Sequence, residues 1–113
     1  MIEQVRVSER ARVQLISIKR RTGVQNWNII CRWALAISLK DKNKPAVENI
    51  PADSSIEMTW RTFGGTYEKI YMGLLIQRLI KDKIEITKEN VNLYFIVHLH
   101  RGISFLATGK SKK

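Results

Sequence analysis

The sequence holds one cysteine, two histidines, two prolines and ten acidic residues among 113. Cys31 alone cannot form an internal disulfide, which fits a reducing cytoplasm; inside an apolar helix it reads as a small core residue rather than a nucleophile. His98 and His100 lie two apart, so on a helix they point to opposite sides and cannot share a metal. With no His-x-x-x-His and a single cysteine, zinc has no ligand set. Gly64-Gly65 lacks the Lys-Ser/Thr ending of a nucleotide loop, so the pair reads as a chain reversal, with a phosphate seat on its amides as the alternative. No Ser-His-Asp or paired-carboxylate pattern stands out, so neither an enzyme nor a cofactor is expected. The longest apolar stretch, Trp27 to Leu39, is too short for a bilayer and contains Arg32. Glu3 and Arg6 stand where a secretory leader would build its apolar run, so a cytoplasmic chain without a membrane partner is expected.

Basic residues, by contrast, are plentiful. Twenty Lys and Arg give a net charge of +10 and a pI near 10.1. A small basic chain is drawn to polyanions, and DNA or RNA comes first among them. Residues 1–40 carry a net +6 and residues 41–113 a net +4. A hydrophobic share of 44% supports a folded core, and the length predicts a single DNA-binding domain over 1–113.

Local pattern divides that domain into 1–40, 56–107 and a flexible basic tail at 108–113. Residues 2–7 alternate as a short strand with Val5 and Val7 on one face. Ser8 is a good N-cap, Ala11, Leu15 and Ile18 recur at helical spacing, and Gly23 supplies a left-handed end. A second helix over about Asn26–Leu39 is apolar on nearly all sides, which implies cover from a partner subunit. Residues 40–55 read as a loop or linker. Ile56, Met58 and Trp60 alternate as a strand. Thr66 is placed to cap a third helix that buries Tyr67, Ile70, Tyr71, Leu74, Leu75 and Leu79. Thr87 caps a fourth, with Ile86 and Val91 set for a hydrophobic staple. The fold expected is mainly α: about four helices with one or two short strands, assembled as a homo-oligomer.

The order strand, helix, Arg-Thr-Gly turn and apolar helix in the first forty residues resembles the ribbon-helix-helix fold, in which two chains pair their strands and the ribbon enters the major groove. Gln4 and Arg6 would then face base edges; the alternative is an edge strand with solvated polar residues. Lys19-Arg20-Arg21 is the densest basic run, with Arg10, Arg12 and Lys40 adding to the pool. These are the candidate phosphate contacts, although three cations in a last helical turn also suit the helix dipole.

Four stretches carry a wider resemblance: IEQVRVSERA, KRRTGVQNWNIICRWAL, IPADSSIEMTWRTFGG and HLHRGI. Together, in this order, they resemble the DndE family of DNA sulfur modification proteins. The loop from Lys42 to Asn49 and the segment Lys83 to Asn92 carry nothing of it. The resemblance implies a small non-catalytic subunit that forms a tetramer and favours nicked duplex DNA. It would act with a cysteine desulfurase, an iron–sulfur protein and an ATPase-like subunit that together replace a non-bridging phosphate oxygen with sulfur. Two other classes stay open: a sequence-specific ribbon-helix-helix repressor, and a DNA-nicking enzyme using His98, His100 or Arg101.

Overall fold

A computed structural model describes residues 2–109. Its elements follow the sequence signals closely at their starts. The Ser8 hydroxyl accepts the Ala11 amide and opens helix α1, Glu9–Thr22, while Gly23, at φ 78°, closes it through an amide bond to the Lys19 carbonyl. Helix α2, Trp27–Lys40, follows after a short turn. The last helix, α5, Lys88–Thr108, starts where the Thr87 hydroxyl accepts the Asn90 amide. Between them lie a five-residue helix α3, Trp60–Gly64, a 3-10 turn at Gly65–Tyr67, and helix α4, Glu68–Lys81. The four long helices thus match expectation and α3 is additional. Among the described residues no helix is long and apolar enough to cross a membrane.

Strands β1, Gln4–Arg6, and β2, Glu57–Thr59, pair antiparallel with Val5 opposite Met58. This differs from the ribbon-helix-helix expectation. The partner of β1 comes from the same chain, so one edge of β1 is already paired without a second copy. Trp60 does not continue the strand. The Thr59 hydroxyl accepts the Thr62 amide and turns the chain into α3, and Trp60 then stacks on Phe63, 5.1 Å between ring centres, with Phe95 edge-on to both.

Helices α2 and α5 form the central pair. Gly102 lies so close to Ala34 that an added Cβ would overlap the Ala34 backbone. The core draws on Leu15, Ile30, Leu35, Phe63, Leu79 and Leu99, with contributions from every long helix. Much of α2 is therefore covered within its own chain, and Ile30 is fully buried; Trp33 and Ala36 are the apolar positions left exposed. Helix α4 buries Leu75 and Leu79 and packs Tyr71 on the core as expected, but part of its face is rotated. Leu75, Leu79 and Arg78 face inward, whereas Tyr67, Ile70 and Leu74 are exposed. The helix also starts later than a Thr66 cap would set it: Tyr67 occupies the cap position with no side-chain bond. The inward placing of Arg78 explains the rotation, because its guanidinium is held at the end of α2. At α5, Val91 is buried while Ile86 stays exposed. Of the tail expected at 108–113, Thr108 is the last helical residue and Gly109 the cap; Lys110, Lys112 and Lys113 lie outside the described residues.

Candidate nucleic-acid interface

Helix α1 sets its cations by turn. Arg10, Val13, Ser17 and Arg20 recur at three- and four-residue steps along the outward stripe, and all four are exposed. Arg10 and Arg20 make no side-chain hydrogen bond or ion pair among the described residues. The other cations are engaged. Arg12 forms a bidentate pair with Glu9 at 2.7–3.0 Å, and that hydrogen bond first, then its charge, lowers the Glu9 pKa and raises that of Arg12. The Lys19 ammonium lies over the Trp27 ring at 4.7 Å. Arg21 donates to the Leu106 and Ala107 carbonyls and so caps the C-terminus of α5. On β1, Gln4 and Arg6 point outward, but Arg6 pairs with Glu57 across the sheet at 2.6 Å. Lys40 is exposed in the last turn of α2. The expected residues thus fall on the outer surface, with unequal freedom.

A second cationic centre escaped the sequence reading as such. Two guanidiniums from other helices converge on the end of α2. Arg78 donates to the carbonyls of Leu39, Asp41 and Asn43 and pairs with Asp82 at 2.9 Å. Arg101 donates to the Ser38 hydroxyl, the Ser38 carbonyl and the Asn43 carbonyl. These bonds meet the orphan carbonyls of a helix end. Ser38 Oγ also lies 2.8 Å from His98 Nδ1. His98 Nε2, on the other side of the ring, is a buried atom without a hydrogen-bond partner among the described residues. Burial first, then the charges of Arg101 and Arg78, push the His98 pKa down to about 4. Burial likewise pushes the Cys31 thiol up to about 12.

On the other side of α5 lies a cleft of about 520 Å³, walled by the start of α1, the loop 45–53 and the α5 positions Val97, His100, Arg101, Ser104 and Phe105. The loop is no free linker. The Asp53 carboxylate accepts the Glu9 amide, and Ser54 Oγ donates to the Val7 carbonyl. His100 accepts the Ser8 amide on Nε2 and so donates from Nδ1 to the Ile96 carbonyl. Burial lowers its pKa too, against the bond to Ile96 and the nearby Glu48 charge. Among the described residues no group of three or more His, Cys, Asp or Glu could hold a metal ion.

The family model of DNA sulphur modification protein DndE matches residues 4–113. The chain belongs to the DndE family. Two solved DndE structures share the fold. The crystal structure of DndE from Escherichia coli B7A, involved in DNA phosphorothioation modification, superposes with a TM-score of 0.75 at 18% identity, covering 92% of this chain and 96% of that one. A DndE double glycine-to-lysine mutant gives 0.74 at 16% identity, covering 96% and 99%. No curated protein sequence matches. In this DndE chain the four resembling stretches meet in space. Ser8 of the first bonds His100 of the last, Val7 bonds Ser54 of the third, and Asn28 of the second donates to the Thr62 carbonyl of the third.

Proposed function

We propose that the chain is a non-catalytic DNA-binding subunit of the DNA phosphorothioation machinery, holding duplex DNA, preferentially nicked, through phosphate contacts. The observation that carries this reading is the outward stripe of α1, where Arg10 and Arg20 stand exposed and, among the described residues, unpaired. Lys19, Arg21, Arg12 and Lys40 add positive potential around them, and Gln4 and Arg6 border the same end of the chain. Backbone contacts of this kind position a protein without reading sequence. Association as a homotetramer would repeat the stripe. Trp33 on α2 and Ile70, Leu74 and Ile80 on α4 are large apolar side chains left in solvent, the kind of surface that oligomers cover. The partners we assign are the cysteine desulfurase, the iron–sulfur protein and the ATPase-like subunit, which supply the sulfur chemistry in the cytoplasm.

Neither rival gains from the geometry. A ribbon repressor pairs its strands between chains, whereas here β1 takes its strand partner, β2, from its own chain. A nickase needs a histidine that reaches the backbone, whereas His98 is fully buried and both His100 ring nitrogens are engaged. Titration of intact, nicked and single-stranded forms of one sequence tests the proposal. Tighter binding of nicked duplex, with affinity falling linearly on a log–log salt plot, is expected. A flat salt response, or discrimination above about a hundredfold between unrelated duplexes of one form, would overturn it.

A further inference from the structure

The cleft beside α1 has the volume of a small-ligand site, for which about 300–1,000 Å³ is usual. Its walls combine two kinds of surface. One is flat and fixed: Phe105 lines the cleft with the Arg101 guanidinium 5.5 Å from its ring centre, and Arg101 is immobilised by its bonds to Ser38 and Asn43. The other is polar and open to solvent. Gln14, Glu48 and Asn49 line the cleft, and their side chains make no hydrogen bond or ion pair among the described residues. Arg10 belongs both to the cleft and to the outward stripe of α1.

We propose that this cleft receives one unstacked nucleobase from the bound DNA, at a strand break; the inference rests on the DNA-binding reading above. The aromatic ring and guanidinium offer faces on which any base can stack. The Gln14 and Asn49 amides each donate and accept, and the Glu48 carboxylate accepts from an exocyclic amino group or ring N–H, so together they suit the edge of an unpaired base. A phosphate finds no net positive site here, because the Glu48 and Asp53 carboxylates offset the Arg10 and Arg101 guanidiniums in the walls. A neutral base needs no such site, and its own phosphate falls near Arg10 at the side where the cleft meets the stripe. Extruding a base is least costly where pairing or stacking is already interrupted, so the cleft gives nicked DNA an advantage that phosphate contacts alone do not.

The test compares three duplexes of one sequence by fluorescence anisotropy: intact, nicked, and nicked with an abasic residue in place of the base beside the break. The full chain and a Gln14→Ala, Asn49→Ala double variant are titrated with each. The parent should bind the nicked duplex about tenfold more tightly than its abasic form. The double variant should lose most of that difference while binding the abasic and intact duplexes as the parent does. Equal affinity of the parent for nicked and abasic-nicked DNA overturns the base site and leaves the DNA-binding reading standing. Absence of binding to all three overturns both. Neither side chain is bonded among the described residues, so the variant should fold, and a parental melting temperature checks this.

Discussion

The C-terminal ends of α1 and α2 are both cationic, yet their charges do opposite work. At the end of α2, beside the helix's own exposed Lys40, two guanidiniums come from other helices. Arg78 is 5% exposed and Arg101 half-buried, and both are saturated by carbonyls and by Asp82 or Asp41. At the end of α1 the cations belong to the helix itself. Arg20 is exposed and unpaired, Lys19 rests on Trp27, and Arg21 reaches the end of α5. The two guanidiniums at α2 close the structure; at α1, Arg20 remains for a partner. Net charge alone does not separate the two, because a guanidinium already bonded to three carbonyls has few donors left for phosphate.

The comparison breaks most visibly at Arg78. Arg78→Met should lower stability by about 3–5 kcal/mol, since it strands the buried Asp82 carboxylate and the carbonyls of Leu39, Asp41 and Asn43. Urea denaturation measures the loss, and a change below about 1 kcal/mol would mean that the α2 end is no lock. DNA affinity per folded molecule should stay as in the parent.

Next in size is pH. The folded pKa of His98 is depressed to about 4 from an ordinary 6.5. The unfolded chain therefore binds this proton first. Stability is fully present above about pH 6.5 and falls as pH drops toward 4, by up to about 1.4 kcal/mol per pH unit for one histidine. His100, also depressed, adds in the same direction. In His98→Asn the side-chain amide can still bond Ser38 Oγ, and the slope should diminish by one proton. An unchanged slope in urea titrations between pH 6.5 and 4 would remove His98 from the account.

Much of the fold was legible because its signals are local. Ser8, Gly23 and Thr87 set helix ends through their own backbone geometry, and Leu15 and Ile18 keep helical spacing. The second strand was legible up to Met58, but alternation could not show that Thr59 would cap a helix and draw Trp60 into it. The face of α4 was misread for a similar reason: Ile70 and Leu74 look like core until Arg78 is known to bond the end of α2. That bond spans some forty residues and leaves no periodic trace. The α1 cations were visible as a run, whereas the cleft was not, because its walls come from three separated segments joined by bonds such as Ser8 to His100.

The triple variant Lys19→Ala, Arg20→Ala, Arg21→Ala sharpens the comparison at the α1 end. It removes a cation–π contact and a helix cap, so a stability loss of about 1–2 kcal/mol is expected. The salt slope of DNA binding should fall by about 0.9 for each phosphate released. If the variant binds nicked duplex as tightly as the parent at physiological salt, the DNA face lies elsewhere. Truncation after Gly109 would then test the tail lysines.

The smallest expected effect on the fold is the most discriminating. Arg20 is the member of the run with no bond inside the described residues, so Arg20→Ala should leave the urea midpoint within about 0.5 kcal/mol of the parent. Its charge is nevertheless on the stripe assigned to DNA. If it meets one phosphate, the slope of log affinity against log salt should become shallower by about 0.9, equally for nicked and intact duplex, because the contact is to backbone and not to a break. Arg21→Ala is the natural control, since its guanidinium is engaged at the end of α5: it should lower stability more than Arg20→Ala and change the slope less. The reverse order, with Arg21 dominating the salt response and Arg20 silent, would mean that the α5 cap opens to meet DNA and that the division between closing and available charge fails at α1.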